Sequence, residues 1–173
     1  MVRTSVLTTA TLAAAAACLL AVPGKAHGAV AAPSCGAAAL TVSATQPQGA
    51  TGHGSLVLRF KNRSAHACTV RGYPGLDALD VVGHVMKHAT RTPSGFAGGS
   101  AHGVQTILVR PDHFASATVE WLNFRPTTGG TCRFSAHIAI TPPNTSATVH
   151  RARSVSVCRL QVHPAVAGRS GNG

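Results

Sequence analysis

Acid is scarce in this chain. Asp77, Asp80, Asp112 and Glu120 are its only carboxylates, against 15 lysines and arginines. Paired-carboxylate acid–base chemistry and multi-carboxylate metal sites need acids brought together, and so few acids favour neither. Glu120 alternates with Val119 and Trp121 on a strand pattern, so it is expected to point outward as a lone solvated carboxylate. The ten histidines invite a metal reading. His84 and His88 share a face of a strand or a helix, yet no carboxylate or cysteine completes a tetrahedral set beside them. They read as surface histidines. No GxSxG elbow and no CxxC pair occurs. The Gly-rich run GFAGGSAHG lacks the strand–helix context of a phosphate loop. Tyr73 and Pro74, in RGYPGL, form the one candidate ligand loop, with a single aromatic on a turn. The plainer account is a turn with Tyr73 capping the core. No cofactor is implied by these residues.

The amino-terminal segment sets the compartment. Arg3 gives a positive start, Ser5 to Val22 are apolar, and Pro23 and Gly24 break the run. Residues 1–28 therefore read as a secretory signal peptide, cut after Gly28 with Ala26 at the −3 position. Cuts after Ala26 or Ala31 also fit. Cys18 suggests a lipid anchor, but Ala15 to Ala17 before it and Leu19 to Val22 after it do not suit that signal. Removing Arg3 and Lys25 lowers Lys+Arg from 15 to 13 and the net charge from +11 to +9. No membrane span remains after cleavage. Cys18 leaves too, so five cysteines become four: Cys35, Cys68, Cys132 and Cys158. An exported chain with four cysteines reads as two disulfides, with three connectivities open. Sequence proximity favours Cys35–Cys68 and Cys132–Cys158. Each would close a loop of about 30 residues, contributing on the order of 3–4 kcal/mol.

Period two dominates the chain beyond the first cysteine of the domain. Leu40, Val42 and Ala44 alternate with polar residues, as do Leu56, Leu58 and Phe60. Ala115, Ala117, Val119 and Trp121 repeat the pattern, and so do Phe134, Ala136, Ile138 and Ile140. Such sets give each strand one apolar and one polar face. Further short strands are expected near 67–71, 76–82, 84–89, 103–110, 147–152 and 155–163. Turns separate them, and Pro74-Gly75 suits the centre of a type II turn. Only 11% of residues are charged, against roughly 25% in ordinary domains, which excludes a Glu–Lys-laced helix bundle. The fold class is thus all-β, an immunoglobulin-like β-sandwich over residues 29–163 with two disulfides, preceded by the signal peptide. The antibody-type Cys…Trp…Cys arrangement is absent. Residues 164–173 are expected to be a disordered tail.

Several segments together resemble a family of exported actinobacterial proteins, the domain of unknown function DUF4232. They are SCGAAALTVS (34–43), GSLVLRFKNRSAHACTVRGYPGL (54–76), TILVRPDHFASATVEW (106–121), TCRF (131–134) and VSVCRL (155–160). The resemblance spans about residues 34–163. It implies an export signal, a β-sandwich and two disulfides, and it implies no reaction. A second, much shorter likeness concerns His27. A cut after Ala26 would start the mature chain His27-Gly28, which resembles the start of copper-dependent lytic polysaccharide monooxygenases. There the terminal amine and imidazole chelate copper.

The basic excess is the remaining signal. Arg59 and Lys61 share the outward face of one strand, and Arg151 and Arg153 share one face of another. A charge of +9 after cleavage concentrates anions near the surface. The expectation is a monomeric, non-catalytic binding or structural module, secreted or in the cell envelope. Its partner would be an anionic cell-wall polymer or another envelope protein, not nucleic acid. A copper-dependent oxidative enzyme using His27 is the alternative.

Overall fold

The computed structural model describes residues 31–173, so the proposed leader, Cys18 and His27 lie outside the described residues. The strands are β1 Leu40–Ala44, β2 Gln48–Ala50, β3 His53–Asn62, β4 Cys68–Arg71, β5 Gly75–Leu79, β6 Val85–His88, β7 Thr90–Arg91, β8 Thr106–Val109, β9 Phe114–Leu122, β10 His137–Thr141, β11 Val149–Arg151, β12 Cys158–Val162 and β13 Val166–Ala167, of which β2, β7 and β13 are not among those expected. The only helical turn among the described residues is a 3-10 turn at Ala37–Ala39. The large sheet runs β1-β3-β9-β12-β7, with β2 on β3 and β13 on β9. A second sheet runs β11-β10-β5-β6, and β4 pairs β8. The layers are joined in one core, with Leu56, Leu58, Phe60 and Val119 from the large sheet. Leu76, Ile138 and Ile140 come from the second, and Val70 and Val109 from β4 and β8. This is the all-β, sandwich-type class expected from the period-two pattern.

The central β3–β9 pair shows how the residues choose one another. Across the ladder, Gly54 faces Trp121, Leu56 faces Val119, Leu58 faces Ala117 and Phe60 faces Ala115. Each large side chain sits opposite a smaller one, which lets the core face fill without strain. Trp121 is 2% exposed, and its indole Nε1–H donates to Asn123 Oδ1 at 3.0 Å. A Cβ on Gly54 would overlap the indole ring. Gly54→Ala is therefore expected to cost about 1–3 kcal/mol through overpacking. Urea unfolding would measure the loss, and wild-type stability with an unshifted tryptophan spectrum would refute the packing account.

Two bridges staple the sandwich. Cys35 joins Cys68 and Cys132 joins Cys158. The first fastens the segment ahead of β1 to β4, where Cys35 N–H also donates to the Thr69 carbonyl at 2.8 Å. Arg151 and Arg153, expected on one face of a strand as part of the basic surface, act differently. Arg151 donates to the Val42 carbonyl at 2.7 Å, and Arg153 donates to the Thr45 carbonyl at 2.9 Å. Both are half-buried. The free carbonyls at the β1 edge draw these guanidiniums inward, tying the second sheet to the first.

Several local expectations need correction. Phe134 is 48% exposed, because the strand starts later, at His137. The turn at Pro74-Gly75 is not type II. The positive φ belongs to Gly72, at 101°, and Gly75 already opens β5. The tail after His163 is not disordered. Val166–Ala167 pairs with Ser116 and Ala115, extending the edge of β9 that β12 leaves free. Arg169 then stacks over the Phe114 ring at 4.3 Å, and Gly171 bonds both Ser116 and Thr118. A chain ending at Ala167 loses these contacts. It is expected to be less stable by about 1–3 kcal/mol, read by thermal unfolding. An unchanged midpoint would mean that the strap merely rests on the sheet.

The tip of the β5–β6 hairpin is organised by Asp80. Its carboxylate accepts the His84 N–H at 2.8 Å and the Val82 N–H at 3.0 Å. The His84 backbone bond, first among the causes, holds the carboxyl below its ordinary value of 3.8. A depressed folded value gives stability that is complete above the unfolded value and is lost as pH falls through the folded one. The hairpin tip should therefore loosen only in acid, below the usual carboxylate range. Amide shifts of Val82 and His84 across an acid titration would report it, and shifts already moving near neutrality would contradict it.

Candidate functional site

The side of the large sheet away from the core holds the most unusual chemistry in the molecule. Along β9 the alternation sends Ser116, Thr118 and Glu120 to that side, as expected. They are nevertheless buried, Glu120 being only 2% exposed. The solvated carboxylate is corrected to a covered one. Its cover comes from two remote segments. The Gly-rich run 93–100 folds over Glu120, and the carboxyl-terminal strap 168–173 lies over Thr118 and Ser116. The two segments meet where Gly173 N–H donates to the Gly99 carbonyl at 3.2 Å. Glycine is needed for this closeness: a Cβ on Gly95 would overlap Glu120 Oε1.

Beneath the cover lies a polar chain. Ala97 N–H donates to Glu120 Oε2 at 2.8 Å. His163, fully buried, places Nε2 3.3 Å from the same oxygen, at an angle too oblique for a hydrogen bond. On its other side His163 Nδ1 lies 3.0 Å from the Thr92 carbonyl. A carbonyl only accepts, so this contact places a proton on Nδ1. The Nε2 contact is then attractive only when another proton lies between imidazole and carboxylate. The strand pattern places His163 at the end of a strand and gives it no role. The backbone register that sets it beside Glu120 joins residues far apart in the chain, and no local spacing signals it.

Beside this chain two clefts adjoin, and a third opens on the opposite face of the sheet. The first, about 300 Å³, is lined by His53, Phe96, Glu120, Arg159 and Gln161, with Trp121 at its wall. The second, about 390 Å³, shares His53 and Phe96 and continues along Gln48, Gly49 and Thr51. The third, about 270 Å³, is lined by Gln48, Trp121, Asn123 and Phe134. The His53 and Phe96 rings lie 4.2 Å apart, tilted by 58°. His53 Nδ1 is buried without a hydrogen-bond partner. Phe96, Phe124 and Phe134 are exposed large apolar residues, all placed around the β2–β3 hairpin.

The residues singled out from sequence lie elsewhere. Tyr73 is half-buried and Pro74 is buried, and neither lines these clefts. His88 Nδ1 is 2.6 Å from Asp77 Oδ1. Among the described residues, no cluster of three or more His, Cys, Asp or Glu is placed to hold a metal ion. No helix of the described residues is long and apolar enough to cross a membrane. The carboxylates are all engaged locally: Asp112 pairs Lys61 at 2.7 Å, which holds its carboxyl below the ordinary value. Lys61 is the only lysine or arginine with a carboxylate partner among the described residues.

Fold and bridges together define a disulfide-stapled all-β domain with a covered polar seam on one sheet. The family model of the domain of unknown function DUF4232 matches residues 35–170. The chain belongs to that family, as the resemblance of its segments implied. The match runs through β13 and the start of the strap, so the carboxyl-terminal segment is part of the domain. No curated protein and no solved structure matches the chain.

Proposed function

We propose that this protein is a secreted or cell-envelope binding module that takes an anionic polymer or partner outside the cell, without catalysis. The observation that carries the reading is the unbalanced charge of the surface. Arg71, Lys87, Arg91, Arg110, Arg125, Arg133 and Arg159 are all exposed, and no carboxylate lies within ion-pair reach of any of them. Unneutralised cations attract polyanions, and they do so at long range only when salt is low. The leader-like start and the two disulfides support export into an oxidising compartment. With the four cysteines of the domain in bridges, none is a free thiolate nucleophile. Isolated cell walls mixed with the purified secreted protein give the test. Capture should fall steadily as salt is raised. Absence of capture at every salt concentration would defeat the reading. Intact mass of the secreted protein fixes its amino terminus, and a chain starting at Ala29 would remove the copper alternative built on His27.

A further inference from the structure

The first cleft brings Arg159, Phe96, His53 and Gln161 together beside Glu120. Arg159 has φ 45°, in the left-handed region that non-glycine residues rarely occupy. It stands at the irregularity in β12 between Cys158 and Gln161. A bulge re-aims the side chain it carries, and here the Cys132–Cys158 bridge anchors the residue before it. The result is an exposed guanidinium at the cleft wall. Lining the same cleft are Phe96, 53% exposed, and His53, whose Nδ1 has no partner. Gln161 sits directly across the ladder from Glu120. Glu120 binds Ala97 through Oε2, leaving Oε1 as an acceptor towards the Gly95 side.

We infer that this cleft is a saccharide subsite that takes one acidic sugar unit of an extracellular polysaccharide. A sugar ring has an apolar C–H face and a rim of hydroxyls that both donate and accept. Phe96 offers the flat surface for the ring face. The Gln161 amide offers a donor and an acceptor for the rim, and His53 lines the same wall. Arg159 offers the forked donor that suits a carboxylate. The volume, about 300 Å³, stands at the small end of small-molecule sites, as a single ring requires. The second cleft continues from the first through His53 and Phe96. That continuation suits a chain running on from the bound unit, rather than a free monosaccharide. The inference rests on the anionic-polymer reading above and narrows it to one site.

Phe96, Glu120 and Gln161 line the cleft, so their backbone amide shifts report occupancy. The probes are polygalacturonate oligosaccharides, polyglutamate as a carboxylate polymer without sugar, and dextran as a neutral glycan. At low salt, polygalacturonate should bind and shift those amides. Polyglutamate should bind more weakly without that change, and dextran least. Phe96→Ala should weaken polygalacturonate binding about tenfold. Arg159→Gly should weaken it about tenfold as well. Because glycine tolerates the left-handed backbone, Arg159→Gly should leave the melting temperature equal or raised, which separates lost binding from lost folding. Equal binding of the two polyanions, indifferent to both variants, would overturn the subsite and leave the charged-surface reading standing. No binding of either polyanion at low salt would overturn both. Dextran binding as tight as polygalacturonate, untouched by Arg159→Gly, would overturn the acidic-sugar assignment.

Discussion

A Cys35→Ala, Cys68→Ala double variant is expected to lose about 3–4 kcal/mol of stability. The bridge spans a sequence separation of 33 residues, and opening it returns the loop entropy to the unfolded chain. The native state changes little in comparison, since the backbone bonds from Cys35 N–H to Thr69 and from Thr69 N–H to Pro33 remain available. The Cys132–Cys158 bridge, with a separation of 26, should be worth nearly as much. Urea unfolding of the oxidised protein, the reduced protein and each double variant measures both. The two costs should be close to additive, because the bridges share no residue and lie on different strands. A loss under about 1 kcal/mol for either bridge would mean that the packed sheets hold these loops unaided. Loss of the second bridge should also weaken polygalacturonate binding, since it frees the backbone that positions Arg159.

Glu120→Ala carries the next largest expected effect, on the order of 2–4 kcal/mol. Removing the carboxylate strands the half-buried Ala97 N–H and opens a cavity beside the fully buried His163 ring. An unpartnered buried polar group costs more than the bond itself was worth. Glu120→Gln is the informative companion. Its amide oxygen still accepts from Ala97, and its NH₂ can donate to an unprotonated Nε2. It should therefore lose much less. Hydrogen exchange at Ala97 distinguishes local from global effects. With alanine the Gly-rich cover should exchange faster than the β3–β9 ladder, because it loses its only side-chain anchor to β9 there. Equal stability of the alanine variant and wild type would show that water replaces the carboxylate without cost.

The alternation in Leu56, Leu58 and Phe60, and in Ala117, Val119 and Trp121, is enough to place two strands and their core faces. The neighbouring turns and the cysteine count then point to a stapled sandwich. The pairing of Gly54 with Trp121 is not legible, because it depends on register between strands nearly seventy residues apart. Glu120 shows the same boundary most clearly. Its side of the strand follows from the period of the backbone, a local property. Its burial depends on residues 93–100 and 168–173, which cross it from elsewhere in the chain. The strap escapes a reading from sequence because its composition is that of an ordinary loose tail, while its bonds to Ser116 and Thr118 exist only once β9 is in place. Arg151 and Arg153 escape it for a related reason: a guanidinium reads as solvated until an unpaired strand edge is brought to it.

The sequence by itself determined the compartment argument, the main strands of the sandwich and the family, because these rest on local pattern and on counts. Side-chain direction repeats every two residues whatever the rest of the chain does. The tertiary structure alone decided which polar residues meet. It set His163 against Glu120, Phe96 against His53, and Arg159 on a strained bulge at the mouth of a cleft. Such meetings arise from register and from long-range cover. They bring together side chains that have no fixed spacing along the chain, so the scarce acids and scattered arginines acquired their roles only on folding.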